Sequence, residues 1–473
     1  MPYVLGIDVG RTRGTAAVCR RVGGAFGPPE VVPVDGGNRW ARSMIAISTA
    51  GEVLVGQAAE HRAATEPDRV ARDFMARVGD GVPVLLGGEL YPAETLAAAV
   101  VAWIADVVAQ AEGAQPERVA VTHPPDWGSY RRGLLREALA AAGLPGVLLL
   151  PTVVAAAEAA HLREPVPAGT AIALTLIGGR HCEHAVLYRG QAAFDLVTHV
   201  PMVEPDAGDH LDDLLASHVL AVSPEHAADP AAMIEFRQAC VAAKERLSVA
   251  AEVRVPLPYA PGDLTVTRAF FDELARPALT SVVDDLSLVT AGVPADQLTA
   301  VVLAGGTARV PLLASLATAR LDCPVAVEED PASAASRGAA LAARPRLGSA
   351  RFAGGGHLTA DASHPGFRPT GPAGGIVPAG DSSPLAVDGS HPSFRPVTGQ
   401  ASDPGFPPAR AQSVEPAADV KERAGVRLTE PVSRKRGRDE PPPPRPPVEI
   451  IPLEPPAKRF VIPKRSRRGE DDR

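Results

Sequence analysis

Tyr3-Val-Leu-Gly-Ile-Asp-Val-Gly10, running on through Thr12 to Gly14, is an apolar run that ends in a glycine turn. A later segment, Val301-Val-Leu-Ala-Gly-Gly-Thr-Ala-Arg-Val-Pro311, has the same plan. Both read as buried strands that feed tight turns. A turn without Cβ atoms exposes backbone N–H groups, so a phosphate or an adenosine can approach closely. Working outward, residues 3–9 and 14–19 predict two strands joined by that first turn, and Met44-Ile-Ala-Ile-Ser48 with Val53-Leu-Val55 predicts a second hairpin around Gly51.

Downstream the pattern becomes strand, helix, strand, helix. An amphipathic helix is expected over about 93–112, a strand over Arg118-Val-Ala-Val-Thr122, and a helix over about 128–142 that ends at Gly143. Val147-Leu-Leu-Leu150 is the next strand, and Pro151 opens an Ala-rich helix to about His161. The plan then recurs. Ala171-Ile-Ala-Leu-Thr-Leu-Ile177 turns at Gly178-Gly179 and returns over Cys182 to Leu187. Helices follow at about 209–220, 231–248 and 268–291, then strand 299–304, helix 311–320, strand 324–328 and helix 331–343. Two hairpin-plus-α/β units in tandem imply a duplicated α/β fold with a cleft between its halves, where ligands favour binding.

Composition divides the chain. Its 473 residues allow roughly three domains by length alone. Residues 1–345 are rich in Ala, Val and Leu and can bury a large core. From Leu347 onward Pro, Gly, Ser and Arg dominate, so a disordered tail is expected over 346–473. The net charge is −8, yet from Lys421 to the end there are about 15 basic and 9 acidic residues. The folded part is therefore acidic, which gives no support for nucleic-acid binding there. Cys19, Cys182, Cys240 and Cys323 have no paired spacing, which fits a reducing cytoplasm. No signal peptide is read at the N-terminus. The apolar stretches 96–111 and 147–160 contain charges or are too short to span a bilayer. High Ala, Arg, Gly and Pro usage suggests a GC-rich bacterial source.

The tail has a weak repeat: Ser363-His-Pro-Gly-Phe-Arg-Pro369, Ser390-His-Pro-Ser-Phe-Arg-Pro396 and Ser402-Asp-Pro-Gly-Phe-Pro407. It reads equally as a set of docking motifs or as a spacer. Arg434-Lys-Arg-Gly-Arg438, Lys458-Arg459 and Lys464-Arg-Ser-Arg-Arg468 suit nucleic acid or an anionic membrane, although a solubilising tail is the favoured reading. Val448-Glu-Ile-Ile-Pro-Leu453 and Phe460-Val-Ile462 look like docking segments for a protein partner that nothing names.

Taken in order, Gly6-Ile-Asp-Val-Gly10, Pro124-Pro125, Pro151-Thr152, Gly178-Gly179 and Gly305-Gly-Thr-Ala-Arg309 resemble the nucleotide-binding domain of the DnaK-type (70-kDa heat-shock) chaperones. Gly56-Gln57, the stretch Asp206–Asp212, Ala239-Cys-Val-Ala-Ala-Lys-Glu-Arg-Leu-Ser248 and Pro331 through Gly338-Ala-Ala340 support it, and the likeness covers about 1–343. It implies the two-lobed actin-like ATPase fold of duplicated ribonuclease H-like domains. The lobes fall at about 1–165 and 166–345, with ATP or ADP, and Mg²⁺, in the cleft. Carried over by position, Asp8 holds waters of the magnesium ion. Gly10, Arg11 and Thr12 form the first phosphate loop, and Gly178, Gly179 and Arg180 the second. Lys244, Ser248, Gly305, Gly306, Thr307 and Arg309 flank the adenosine, where an arginine plane stacks on adenine.

The departures from the family matter as much. Arg11 stands where the family has threonine, and Met75 where it has the catalytic lysine. Leu150 replaces a glutamate, and Thr175 and Cys182 replace aspartates. Arg180 replaces the second loop's threonine. Phosphoryl transfer relies on positioning and charge stabilisation. Losing these groups is expected to leave hydrolysis slow or absent. Arg11 and Arg180 are expected to bind phosphate directly and substitute for the metal's charge. The family's peptide-binding domain is not recognised after Arg344-Pro-Arg346. The alternative is a pseudo-ATPase scaffold that binds a partner whether or not nucleotide is present. A kinase of the same fold superfamily is less favoured, because no catalytic base for an acceptor hydroxyl stands out.

Two other constellations are set aside. In His181-Cys-Glu-His184, period-two spacing puts His181 and Glu183 on one face and Cys182 and His184 on the other, which argues against one metal site. His123, Asp126 and Ser129 lie around a Pro-rich turn without a nucleophile elbow, so a catalytic triad is not expected.

Overall fold

The uninterrupted apolar run of β1 (Tyr3–Val9) requires burial on both faces, as in a central strand. In the computed structural model every residue of β1 is buried except Asp8, at the strand's end, which is half-buried. The structure describes residues 1–202, 207–222, 230–257 and 262–345, all within one compact unit. The Asp206 position and all the tail motifs lie outside the described residues.

The first half contains β2 (Arg13–Val22), β3 (Ala25–Phe26), β4 (Glu30–Val32), β5 (Trp40–Arg42), β6 (Met44–Ile47) and β7 (Val53–Val55). Then come α1 (Gln57–Ala63), β8 (Val70–Arg72), β9 (Val84–Leu86), β10 (Glu89–Tyr91) and α2 (Ala93–Glu112). It ends with β11 (Arg118–His123), α3 (Ser129–Ala141), β12 (Leu148–Pro151) and α4 (Thr152–Arg163). The second half contains β13 (Ala171–Ile177), β14 (Cys182–Arg189), β15 (Phe194–Pro201), α5 (Gly208–Val222), α6 (Pro230–Leu247), β16 (Glu252–Pro256) and β17 (Asp263–Thr267). It closes with α7 (Arg268–Thr290), β18 (Leu298–Ala304), α8 (Pro311–Arg320), β19 (Val325–Val327) and α9 (Ala334–Ala343).

Each half is built on a mixed sheet of the same order. In the first, β2 pairs antiparallel with β1, β1 parallel with β11, and β11 parallel with β12. In the second, β14 pairs antiparallel with β13, β13 parallel with β18, and β18 parallel with β19. The duplication read from the glycine turns is thus present as strand order and direction. Each opening hairpin has its turn, 10–12 or 178–181, at the same end of its sheet.

The helices that end the halves are exchanged. The buried face of α4 (Val153, Ala156, Ala157, Ala160) packs on Ile172, Leu174, Leu187 and Val302 of the second sheet. That of α9 (Ala335, Ala339, Ala340) packs on Val4, Ala17 and Ala120 of the first. The two helices cross where a Cβ on Gly338 would lie 1.6 Å from the Ala155 carbonyl oxygen. Only glycine lets the backbones come so close.

Several elements differ from the expected ones. Pro151 completes β12 and caps α4, so the helix begins at Thr152 rather than at the proline. β15 and the hairpins β9–β10 and β16–β17 were not predicted. α2 is 20 residues and apolar enough to cross a membrane by length and composition, contrary to the expectation for 96–111. Its Leu96, Val100, Val101, Ile104 and Val108 lie in the core of the first half with Leu5 and Ile7, the packing of a core helix.

Candidate functional site

One cavity of about 1100 Å³ opens between the two sheets. Its wall includes Asp8, Gly10, Arg11 and Thr12 from the first turn, and Gly178, Gly179 and Arg180 from the second. Lys244 and Ser248 come from α6 and the turn after it, and Gly305, Gly306, Thr307 and Arg309 from the turn after β18. Every sequence-predicted site residue is therefore on the same cavity, although they span more than 300 positions of chain. The turns are fixed by main chain: the Gly10 N–H donates to the Arg13 carbonyl at 2.9 Å, and the Gly178 N–H to the His181 carbonyl at 2.8 Å.

The glycines differ in why they are there. Gly305 has φ +87°, and a Cβ on it would lie 2.3 Å from the Ile177 carbonyl oxygen, so the fold itself demands glycine. A Cβ on Gly178 would meet nothing nearer than 3.5 Å, and one on Gly306 nothing nearer than 4.0 Å. Local packing does not need glycine at these two positions. What their small size leaves open is the cavity.

Arg11 of the first turn and Arg180 of the second do not point apart. Asp73 lies between them: Arg11 Nε is 3.2 Å from its Oδ1, and Arg180 Nη1 contacts its Oδ2. Arg11 Nη1 also donates to the Arg180 carbonyl at 3.2 Å, and Arg180 Nε is 3.7 Å from Asp209. Asp73 has φ +57° and, among the described residues, is the one non-glycine with positive φ. It precedes the 3₁₀ turn Phe74–Arg77 that carries Met75. Met75 lines the cavity but is 3% exposed and belongs to the apolar core of the first half, so no cationic group faces the cavity from that position.

On the other wall Lys244 Nζ donates to the Gly208 carbonyl at 2.7 Å and to Asp212 Oδ2 at 2.8 Å. Burial pushes the Asp212 carboxyl up to about 6, against the pull of the Lys244 charge. Thr307 Oγ1 donates to the Gly178 carbonyl at 2.8 Å, tying the third turn to the second. Ser248 Oγ makes a long 3.5 Å contact to the Lys244 carbonyl, and Arg309 pairs with Asp330. At the mouth Arg13 lies over the Trp40 ring, 4.0 Å from its centroid, and reaches Glu245 of α6 at 2.5 Å.

Asp8 is at the cavity floor and accepts from Thr122 Oγ1 at 2.5 Å. Burial raises its pKa to about 6; the Thr122 hydrogen bond opposes this rise and the Glu183 charge adds to it. Glu183 is 1% exposed yet lines the cavity. Its Oε2 accepts from His199 Nε2 at 2.6 Å and lies 3.4 Å from His181 Nε2. Burial raises the Glu183 pKa, but the two imidazoles outweigh it and hold the carboxylate below its usual range. His184 faces the other way and shares a 3.0 Å hydrogen bond with Thr175. His123 Nδ1 donates to the Pro124 carbonyl at 2.7 Å and stacks on Trp127. No hydrogen bond joins it to Asp126 or Ser129.

The replaced positions are informative in space. Thr175 and Cys182 are fully buried and neither lines the cavity, whereas their next neighbours Leu176 and Glu183 do. Leu150 is buried too. Position-by-position transfer named Asp8 as the one surviving carboxylate; Glu183, Asp209 and Asp212 line the same cavity. The signal for Glu183 was present in the alternation of His181–His184, which puts Glu183 on the face opposite Cys182. Asp73, Arg13 and Trp40 had no sequence signal, because their roles come from contacts with distant residues.

The family model for Hsp70 protein matches residues 76–352. The matched span includes the second and third glycine turns and α6, while the Asp8 turn precedes it. A match over more than half of the chain shows that the chain belongs to the Hsp70 family.

Proposed function

We propose that this chain is an ATP-binding, chaperone-like protein with the actin-like ATPase fold, its lobes at about 1–165 and 166–345, and that it hydrolyses ATP slowly or not at all. The observation that carries this reading is the pair Gly178 and Gly306. Both line the cavity, and neither is required by its packing, so their absent side chains serve a ligand that approaches the main chain. Phosphates lie against the turns 10–12 and 178–180, and the adenosine against Lys244, Ser248 and the turn 305–309. A cavity of about 1100 Å³ accommodates a nucleotide.

Among the described residues no cluster of three or more His, Cys, Asp or Glu is arranged to hold a bare ion. A hydrated Mg²⁺ that enters with the nucleotide would be held through water by Asp8, with Glu183, Asp209 and Asp212 also lining the cavity, and its charge would draw the raised Asp8 pKa back down. When bound, such an ion supplies charge neutralisation to the phosphates. Arg11 and Arg180 supply the same charge from the protein, and guanidinium forks bind phosphate oxygens well. With Met75 in the apolar core, no lysine acts at that position, and little holds an attacking water in line. The scaffold reading has its own support, since Arg11, Arg180 and Arg309 are all paired with carboxylates.

Calorimetric titration of the full chain with ATP and ADP, with and without Mg²⁺, tests these readings. Micromolar binding that persists when the metal is chelated is expected. Strict dependence on Mg²⁺ would remove the arginine substitution, and a folded chain that binds neither nucleotide would leave the scaffold.

A further inference from the structure

Asp73 reaches its two arginines from a left-handed backbone, at φ +57° and ψ 17°. Among non-glycine residues, Asp and Asn adopt that conformation most readily. The partners come from different halves: Arg11 from the turn after β1, Arg180 from the turn after β13. One carboxylate oxygen faces each guanidinium, and Arg11 is further fixed by the Arg180 carbonyl at 3.2 Å. A planar anion held between two forks is the arrangement that guanidinium pairs make with a phosphoryl group. All three residues are partly exposed, at 35%, 43% and 23%, so none is locked in a core.

We infer that Asp73 is an internal competitor for a metal-free oligophosphate subsite formed by Arg11 and Arg180: phosphate oxygens bind the two guanidinium groups only as the Asp73 carboxylate leaves them. This rests on the reading that the cavity takes a nucleotide's phosphates, and it adds the residue that sets their affinity. It also gives the arginines two states. With Asp73 bound, they pull the turn that carries Met75 toward the second half. With phosphate bound, Asp73 is released and the turn at 74–77 loses its tie to β13–β14. Asp209, 3.7 Å from Arg180, is a second and weaker competitor on the same guanidinium.

The test is titration of the full chain, without Mg²⁺ and at low salt, with inorganic tripolyphosphate, ATP and adenosine. Wild type is compared with Asp73→Asn and with Asp73→Asn/Arg180→Ala. Asparagine accepts the left-handed backbone, removes the charge and keeps one of the two acceptor oxygens, so it can no longer accept from both guanidinium groups. Tripolyphosphate and ATP are expected to bind Asp73→Asn about tenfold more tightly than wild type, with adenosine unchanged and the gain lost in the double variant. Equal or weaker tripolyphosphate binding by a folded Asp73→Asn overturns the inference. A gain for tripolyphosphate without any adenosine or ATP preference supports the anion subsite and removes the nucleotide reading instead. If Asp73→Asn fails to fold, the wild-type Arg11 Nε–H resonance, assigned with Arg11→Lys, decides. Movement during tripolyphosphate titration supports displacement of Asp73, and a fixed resonance at saturation overturns it.

Discussion

Asp8 shows at the scale of one residue how a site can work against its fold. Burial lifts its pKa from 3.8 to about 6, so the native state disfavours the charged form that a hydrated cation needs. The sign follows from proton binding. Between pH 3.8 and about 6 the folded state holds a proton that the unfolded state has lost, so stability falls as pH rises through that window. Above it the penalty is complete, and a shift of this size on a half-buried group is worth about 2 kcal/mol. Asp8→Asn keeps an oxygen to accept from Thr122 and removes the charge. Its Tm is expected to exceed wild type by a few degrees at pH 7–8 and to equal it near pH 3.5. Melting curves at both pH values check this, and a variant no more stable at pH 7.5 would show that Asp8 is better solvated than its surroundings indicate. Asp212, raised by burial in the same way, contributes equally to both proteins and cancels.

At the scale of elements, the exchanged helices α4 and α9 carry the connection between the halves, and Gly338 is its tightest point. Gly338→Ala would drive a Cβ into the Ala155 main chain, where no side chain can swing away. Overpacking against backbone costs about 3 kcal/mol or more. A fall in Tm of several degrees is expected, and unchanged melting would mean that the crossing can widen. Such elements also show what sequence reveals. α2 and α8 were legible with their ends, 93–112 and 311–320, because apolar periodicity and signals such as Gly113 in a left-handed cap act locally. β15 was not legible. It is an edge strand, mostly exposed, with a register shift at Val186/Leu187, so no strong alternation marks it. The strands β8 to β10 are three residues each, too short for an alternation to stand out, and β8 pairs with β6 across α1, a choice that propensity does not encode. The glycine turns of the site were legible for the same local reason. The Arg11–Asp73–Arg180 cluster, which joins residues 62 and 107 positions apart, was not.

Across the whole molecule the halves are joined in two different ways, and the difference predicts how the cavity opens. The floor is an apolar crossing of α4 and α9, close-packed and stiff. The mouth is spanned by polar contacts: Arg13 to Glu245 at 2.5 Å, Gln238 to Glu60 at 3.5 Å, and the Asp73 cluster. Glu245 is 49% exposed, and exposed ion pairs contribute about 0–1 kcal/mol each. Opening at the mouth with the floor intact is therefore the inexpensive motion, and the proposed nucleotide is expected to leave by that route. Glu245→Gln removes one tie and should speed release of a fluorescent ATP analogue, but by less than about fivefold, since one such pair carries no more. Arg13→Ala should do more, because the amide of Glu245→Gln can still accept from Arg13, whereas alanine leaves no contact from that position across the mouth. Stopped-flow displacement by excess ATP orders the two variants. A Glu245→Gln effect far beyond fivefold would show that this single pair holds the mouth shut. Equal rates in wild type and Arg13→Ala would mean that the nucleotide escapes without parting α6 from β2.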